Sequence, residues 1–222
     1  APHPPTARAN VHTLAPAIIR RLAAFVRAAH CIIVFPGGTG TAEEGLYLLG
    51  VIMHPENAAN PLPLILTGPE SSAAWFEALE ALLLTAFGPA VRDYYTIIID
   101  DPEAVARAAK DGMKAVRRAR LNSGDAFYFN WTLHIPPALQ QPFSPTHEAM
   151  AQLRLTDGAE PHALAADLRR AFSGIVAGNV KEPGVRAVQR HGPFLIHAEA
   201  RLKAPLDALL QHFVAAGRMK LK

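Results

Sequence analysis

Short apolar runs alternate with longer segments of helical periodicity through the first half of this chain, and the alternation stops near residue 122. The runs are Cys31–Phe35, Leu62–Leu66 and Tyr95–Ile99. Each predicts a buried strand of the kind found in parallel sheets, the first covered on both faces. Before, between and after them lie four segments with helical spacing. Leu14–His30 places Ile18, Ile19, Leu22, Phe25 and Val26 on one stripe, with Arg20, Arg21 and Arg27 interspersed. Thr41–His54 carries Leu46, Leu49 and Met53, and Ser71–Phe87 follows the second run. The fourth starts at Pro102, a residue suited to a first helical turn, and reaches about Leu121. Strands alternating with helices of this length imply right-handed βαβ units. The fold class expected is therefore α/β, with a Rossmann-like parallel sheet. Three strands make only half of a doubly wound domain, and its ligand crevice lies at the carboxyl ends of the strands.

The second half follows a different pattern. Asp125–Ile135 is rich in aromatic residues and predicts a strand, whereas Pro136–Pro145 holds four prolines and predicts irregular chain. Glu160–Val180 reads as an amphipathic helix interrupted at Gly174 and Gly178. Pro183 opens a shorter helix that ends at Gly192-Pro193, and Leu202–Gly217 is the last. This divides the chain into an irregular lead-in (1–13), a half-Rossmann unit (14–122) and a mostly helical C-terminal extension (123–222).

The chemistry concentrates where the first strand ends. Pro36 stops that strand, and Gly37, Gly38 and Gly40 form a turn whose backbone can approach another group closely. Thr41 is expected to open the next helix, with Glu44 three residues on in the spacing of a capping box. A helix N-terminus behind a glycine turn suits an anion, with N–H groups and the Thr39 and Thr41 hydroxyls as donors. Spacing alone leaves two readings open: a phosphate site, or tight packing of strand on helix. Glu44 could serve only as the capping partner of Thr41. Glu43 beside it would repel an anion unless that acid has work to do.

Residues 36–44, Pro-Gly-Gly-Thr-Gly-Thr-Ala-Glu-Glu, resemble the P-G-G-x-G-T-x-x-E signature of the Lonely-guy phosphoribohydrolases, a family once misannotated as lysine decarboxylases. Arg21 stands where that family has the arginine of an Arg-Lys pair; the lysine is replaced here by Leu22. Leu46–Gly50, Leu62–Pro69, Ser123–Ala126, Asn130-Trp131 and the run Ala165–Glu182 are similar to the larger bacterial pyrimidine/purine nucleotide 5′-monophosphate nucleosidases. The resemblance covers nearly all of residues 14–222. It implies cleavage of the N-glycosidic bond of a nucleoside 5′-monophosphate. Glu44 would be the catalytic carboxylate, Glu43 a helper or ribose-hydroxyl ligand, and Arg21 the group that grips or positions the substrate. Phosphate would lie on Gly37, Gly38, Thr39, Gly40 and Thr41. The resemblance further implies an N-terminal region with the remaining Rossmann strands in a longer protein, homo-oligomers (commonly tetramers), and control by guanosine tetra- and pentaphosphate. Lys114, Arg117, Arg118 and Arg120 are the candidate landing place for that effector, or else a solvated helix end.

Composition narrows the rival classes. The chain is 50% hydrophobic and 18% charged, which excludes intrinsic disorder. A net charge of +3 suits anionic small molecules and does not call for nucleic acid. Apolar runs are too short for a membrane span and nothing resembles a signal peptide. The single cysteine, Cys31, fits inert packing and a reducing cytoplasm. His134, His147, His162, His191, His197 and His212 are scattered without ligand spacing, so neither a metal nor a cofactor is expected. The alternatives that stay open are the cytokinin-directed Lonely-guy activity and a non-catalytic nucleotide sensor. A lysine decarboxylase is disfavoured, because no lysine lies in the glycine turn to bind pyridoxal phosphate.

Overall fold

The run Leu64–Gly68 (β2) is the middle of a three-stranded parallel sheet, and all five of its residues are buried. The computed structural model describes residues 21–125, 129–156 and 158–219. β2 pairs on one side with Ile32–Val34 (β1), Ile33 opposite Ile65, and on the other with Thr96–Ile99 (β3), Leu66 opposite Ile97. Residues 21–28 form helix α1 ahead of β1. The crossovers are Thr39–Ile52 (α2) and Ala73–Phe87 (α3), and Pro102–Ser123 (α4) follows β3. This is the α/β parallel sheet that the alternating pattern implies. The irregular lead-in and the part of the first helix before residue 21 lie outside the described residues.

β1 departs from its expectation. It is not covered on both faces: Ile33 is 40% exposed and Phe35 63%. Among the described residues β1 is hydrogen-bonded only to β2, so its far edge lacks a neighbour. An apolar run of this length reads the same whether or not its neighbours are present. The helix behind it also starts earlier than predicted. Gly38 is the N-cap, in an extended conformation and without a side-chain cap, and its carbonyl accepts from the N–H groups of Thr41 and Ala42 at 3.1 and 3.2 Å. Thr41 therefore lies inside the first turn, and Thr41 and Glu44 form no capping box. Pro102 does open α4, where Asp101 caps by accepting from the Ala104 N–H at 2.8 Å. Gly124 closes that helix at a left-handed φ of 69°, which favours glycine.

The C-terminal part is mostly helical: Pro137–Gln140 (α5), His147–Ala151 (α6), Pro161–Asn179 (α7), Glu182–His191 (α8) and Ala200–Ala215 (α9). A two-stranded parallel ladder joins Arg154–Leu155 (β4) to His197–Ala198 (β5). Helix α7 packs along α2, and α9 along α3. Tyr47, Trp75, Phe76, Phe172 and Phe213 are fully buried in the shared core. α7 runs without the interruption expected at its glycines. A Cβ at Gly174 would sit 2.4 Å from Met150 Sδ, and one at Gly178 would sit 3.3 Å from the Phe194 ring. Both glycines are places of close packing, not breaks in the helix.

The aromatic stretch expected to be a strand has no ladder over residues 129–135; Ala126–Tyr128 fall outside the described residues. Side chains hold it instead. Arg27 Nη1 donates to the carbonyls of Asn130 at 3.1 Å and Leu133 at 3.0 Å. The buried Asn57 amide donates to the carbonyls of Val51 and His134, both at 2.7 Å, and accepts from the His134 N–H at 2.8 Å. These contacts satisfy backbone groups that a ladder would otherwise satisfy. Within Pro136–Pro145, α5 is a helical turn opened by Pro137.

Two glycines separate backbone entropy from packing. A Cβ at Gly45 in α2 would have no neighbour within 4 Å, whereas one at Gly184 would come within 2.2 Å of the Ala177 carbonyl oxygen. Gly45→Ala should raise stability by about 0.5–1 kcal/mol. Gly184→Ala should lower it, because a backbone neighbour cannot rotate away. Thermal melts of the two variants of the full-length protein check the opposite signs.

Candidate active site

Three of the residues singled out in the sequence line one groove. Arg21 from α1 and Thr41 and Glu44 from the first turns of α2 border a depression of about 460 Å³, floored by Phe25, Ile33 and Phe35. Arg21 and Glu44 are exposed there. The groove runs along the uncovered side of β1 to its carboxyl end, the rim where parallel sheets hold ligands. Among the described residues lining it there is no lysine.

The glycine turn is shaped by its own neighbours. Neither Gly37 nor Gly38 has a positive φ. A Cβ on Gly37 would lie 1.8 Å from Thr41 Oγ1, and one on Gly38 would lie 2.8 Å from the Arg218 carbonyl oxygen. The Gly37 carbonyl accepts from Trp75 Nε1 at 2.8 Å and from Arg218 Nη1 at 3.2 Å. Trp75 on α3 and Arg218 beyond α9 thus hold the turn from behind, which fixes where α2 begins. Gly40 has open space around its Cα. Thr39 is buried and does not line the groove, so of the two hydroxyls expected as donors only that of Thr41 borders it.

Glu43 faces away from the groove. Successive helical residues point about 100° apart, so adjacent acids on α2 cannot share one wall. Glu43 accepts from Ser173 Oγ at 2.5 Å and from Arg169 Nη1 at 3.3 Å, both on α7. The Glu43 side chain thus lies at the α2–α7 interface, where Glu44 does not. Arg169 is 4% exposed at its side chain. Burial pushes its guanidinium down from the usual arginine range, and the Glu43 carboxylate opposes that shift. Burial pushes the neighbouring Tyr47 hydroxyl up to about 12, against the pull of Arg169. Tyr47 Oη and Arg169 Nε and Nη2 are buried with no hydrogen-bond partner among the described residues. Sequence reading missed Arg169 and Ser173; the one available signal was a charged residue on the apolar face of α7.

The basic cluster is also smaller than expected. Arg120 is 5% exposed and turned inward. Its Nη2 donates to the Ala29 carbonyl at 3.1 Å, and its Nη1 lies 3.2 Å from His30 Nε2. It ties the end of α4 to the end of α1. Arg117 and Arg118 are exposed, and Lys114 pairs with Asp111 at 2.9 Å.

Residues 2–109 match a family described as "Possible lysine decarboxylase", and residues 113–222 match "Pyrimidine/purine nucleotide monophosphate nucleosidase, C-terminal". Across 221 residues the chain is 52% identical to the pyrimidine/purine nucleotide 5′-monophosphate nucleosidase of Escherichia coli K12, a match that takes in 100% of this chain. The chain belongs to the pyrimidine/purine nucleotide 5′-monophosphate nucleosidase family. Proteins of the same name from E. coli O6:H1 and O157:H7 match equally, at 52%. The chain spans about half, 49%, of the length of these curated relatives. Family membership accounts for both halves of the architecture, the glycine-turn unit and the helical extension packed on it. Among the described residues no helix is long and apolar enough to cross a membrane.

The Glu43–Arg169 pair makes a double-mutant test. Arg169→Met should destabilise the protein by roughly 1–3 kcal/mol, since it leaves the half-buried Glu43 without its charged partner. The double variant Glu43→Gln/Arg169→Met should recover part of that loss, so the two effects will not add. Denaturant titrations of the wild type, both single variants and the double measure the coupling; strict additivity would show that the pair contributes nothing.

Proposed function

We propose that this chain supplies the acid and the cation of a nucleotide nucleosidase site. The reaction is hydrolysis of the N-glycosidic bond of a nucleoside 5′-monophosphate, giving free base and ribose 5-phosphate. One observation carries the reading: Arg21, Thr41 and Glu44 border the same groove at the carboxyl end of β1. Cleavage of the bond builds positive charge on the ribose ring, as in other glycosidic hydrolysis. The Glu44 carboxylate can stabilise that charge and take a proton from the attacking water. The base leaves with the bonding electron pair, and the water oxygen ends on the anomeric carbon. Phosphate rests at the N-terminus of α2, where N–H groups and the Thr41 hydroxyl donate. Arg21 offers a two-pronged guanidinium to the phosphate or ribose, opposite the acid. The chemistry so written needs no metal or cofactor.

The similarity of residues 113–222 to the nucleosidase C-terminal family favours this reading over a cytokinin-directed enzyme, and the exposed pair of Arg21 and Glu44 favours it over a sensor. Control by guanosine tetra- or pentaphosphate belongs to the same proposal. With Arg120 buried, the effector surface is reduced to Lys114, Arg117 and Arg118. A homo-oligomer and a cytoplasmic location complete it.

The test is to incubate the full-length protein with a panel of nucleoside monophosphates and separate free base from ribose 5-phosphate. Glu44→Gln should lower kcat at least ~100-fold while nucleotide binding persists. Arg21→Ala should raise KM as well as lower turnover. Near-normal kcat in Glu44→Gln would remove Glu44 from the mechanism. Absence of base release by the full-length wild type would leave the sensor as the reading.

A further inference from the structure

We propose that His54, Glu56 and His134 form a binding site for a divalent transition-metal ion of the zinc class, at the end of α2 opposite the groove. Their ligand atoms all lie within 4.8 Å of one another, although His134 is far from the other two in sequence. His134 Nδ1 is 3.3 Å from Glu56 Oε2. The Glu56 N–H donates to His54 Nδ1, also at 3.3 Å. His134 Nδ1 thus faces the Glu56 carboxylate, and His54 Nδ1 faces the Glu56 backbone N–H. The His54 and His134 rings are stacked with centroids 4.3 Å apart.

Two imidazoles and one carboxylate are a donor set that suits zinc and its neighbours and does not suit magnesium or calcium. Zinc bonds of about 2.0–2.2 Å place donors roughly 3.5 Å apart, so the site must close by about 1 Å. Glu56 is exposed at a short helical turn, so its carboxylate can rotate toward the two rings. The frame around it is already fixed. The buried amide of Asn57 bonds at once to Val51 at the end of α2 and to both backbone groups of His134, which locks the two loops in register.

A separate observation points to a group beyond these three side chains. His162, at the start of α7, packs edge-on against His54 with ring centroids 4.4 Å apart. Its Nδ1 is buried and has no hydrogen-bond partner among the described residues. Buried polar atoms are rarely left so, and a water completing the coordination of the ion would satisfy it. The ion would then join the end of α2, the segment around His134 and the start of α7. Its place is remote from Glu44, so its effect is on stability and not on the chemical step.

The full-length protein, stripped with a chelator and dialysed, is titrated calorimetrically with Zn2+ and, as a control, with Mg2+. One Zn2+ per chain at micromolar affinity, no binding of Mg2+ and a higher Tm in zinc are expected. Glu56→Gln and His134→Gln should each weaken Zn2+ binding at least tenfold, and His191→Gln, outside the cluster, should not. Since Glu56 is exposed, its variant tests the site without disturbing the core. Co2+ in place of Zn2+ should give visible absorption that is lost in the same two variants. Failure of the wild type to bind Zn2+ below millimolar concentration, or unchanged binding in both variants, would overturn the proposal. It stands apart from the nucleosidase reading, since none of its measurements uses turnover.

Discussion

Helix α2 serves two neighbours, and the angular step between adjacent residues decides what each receives. Glu44 is turned to the groove beside β1, while Glu43 is turned to α7, where Arg169 and Ser173 hold it. A helix rotated so that Ala42 took the place of Glu43 would leave Arg169 facing no carboxylate. The buried cation therefore holds one of the two adjacent acids on the α7 side of α2, and that acid is Glu43. An unpaired guanidinium in that position costs several kcal/mol in general, far more than a surface ion pair contributes. The orientation of the proposed catalytic acid depends on a residue in the extension that never reaches the groove.

The start of α2 is fixed with the same economy. The Gly37 carbonyl takes hydrogen bonds from Trp75 and Arg218, and glycine at 37 and 38 lets Thr41 and the Arg218 backbone come close enough to make the turn. Residues from three separate parts of the sequence meet on one peptide group. Rotation and starting point together leave α2 little freedom, which is the condition for a preorganised site.

How much of this could be read from the sequence depended on range. The strand–turn–helix unit and the sheet's direction were legible, because they rest on local apolar runs and on glycine and proline punctuation. Arg21, Thr41 and Glu44 could be named from the signature, and they border one groove. The extended N-cap at Gly38 was not legible, because Thr41 and Glu44 have the spacing of a capping box whether or not the helix starts there. The contacts of Glu43 were not legible because its partner is distant, on α7, nor was the burial of Arg120, because a basic residue among exposed ones gives no sign of turning inward. The histidines looked scattered for the same reason: His134 is held beside His54 by the Asn57 amide, which lies 77 residues from it in the chain. Gly174 and Gly178 looked like breaks and proved to be contacts, since a glycine in sequence does not say which neighbour it admits.

One further property follows from the direction in which α2 runs. Its peptide units all point the same way, leaving partial positive charge at Gly38 and partial negative charge just before His54. The first end meets the groove proposed for a phosphate; the second meets the cluster proposed for a metal ion. Backbone polarity thus sorts the two ligands by sign, an anion at one end and a cation at the other. That sorting was set by chain direction alone, before any side chain at either end was chosen.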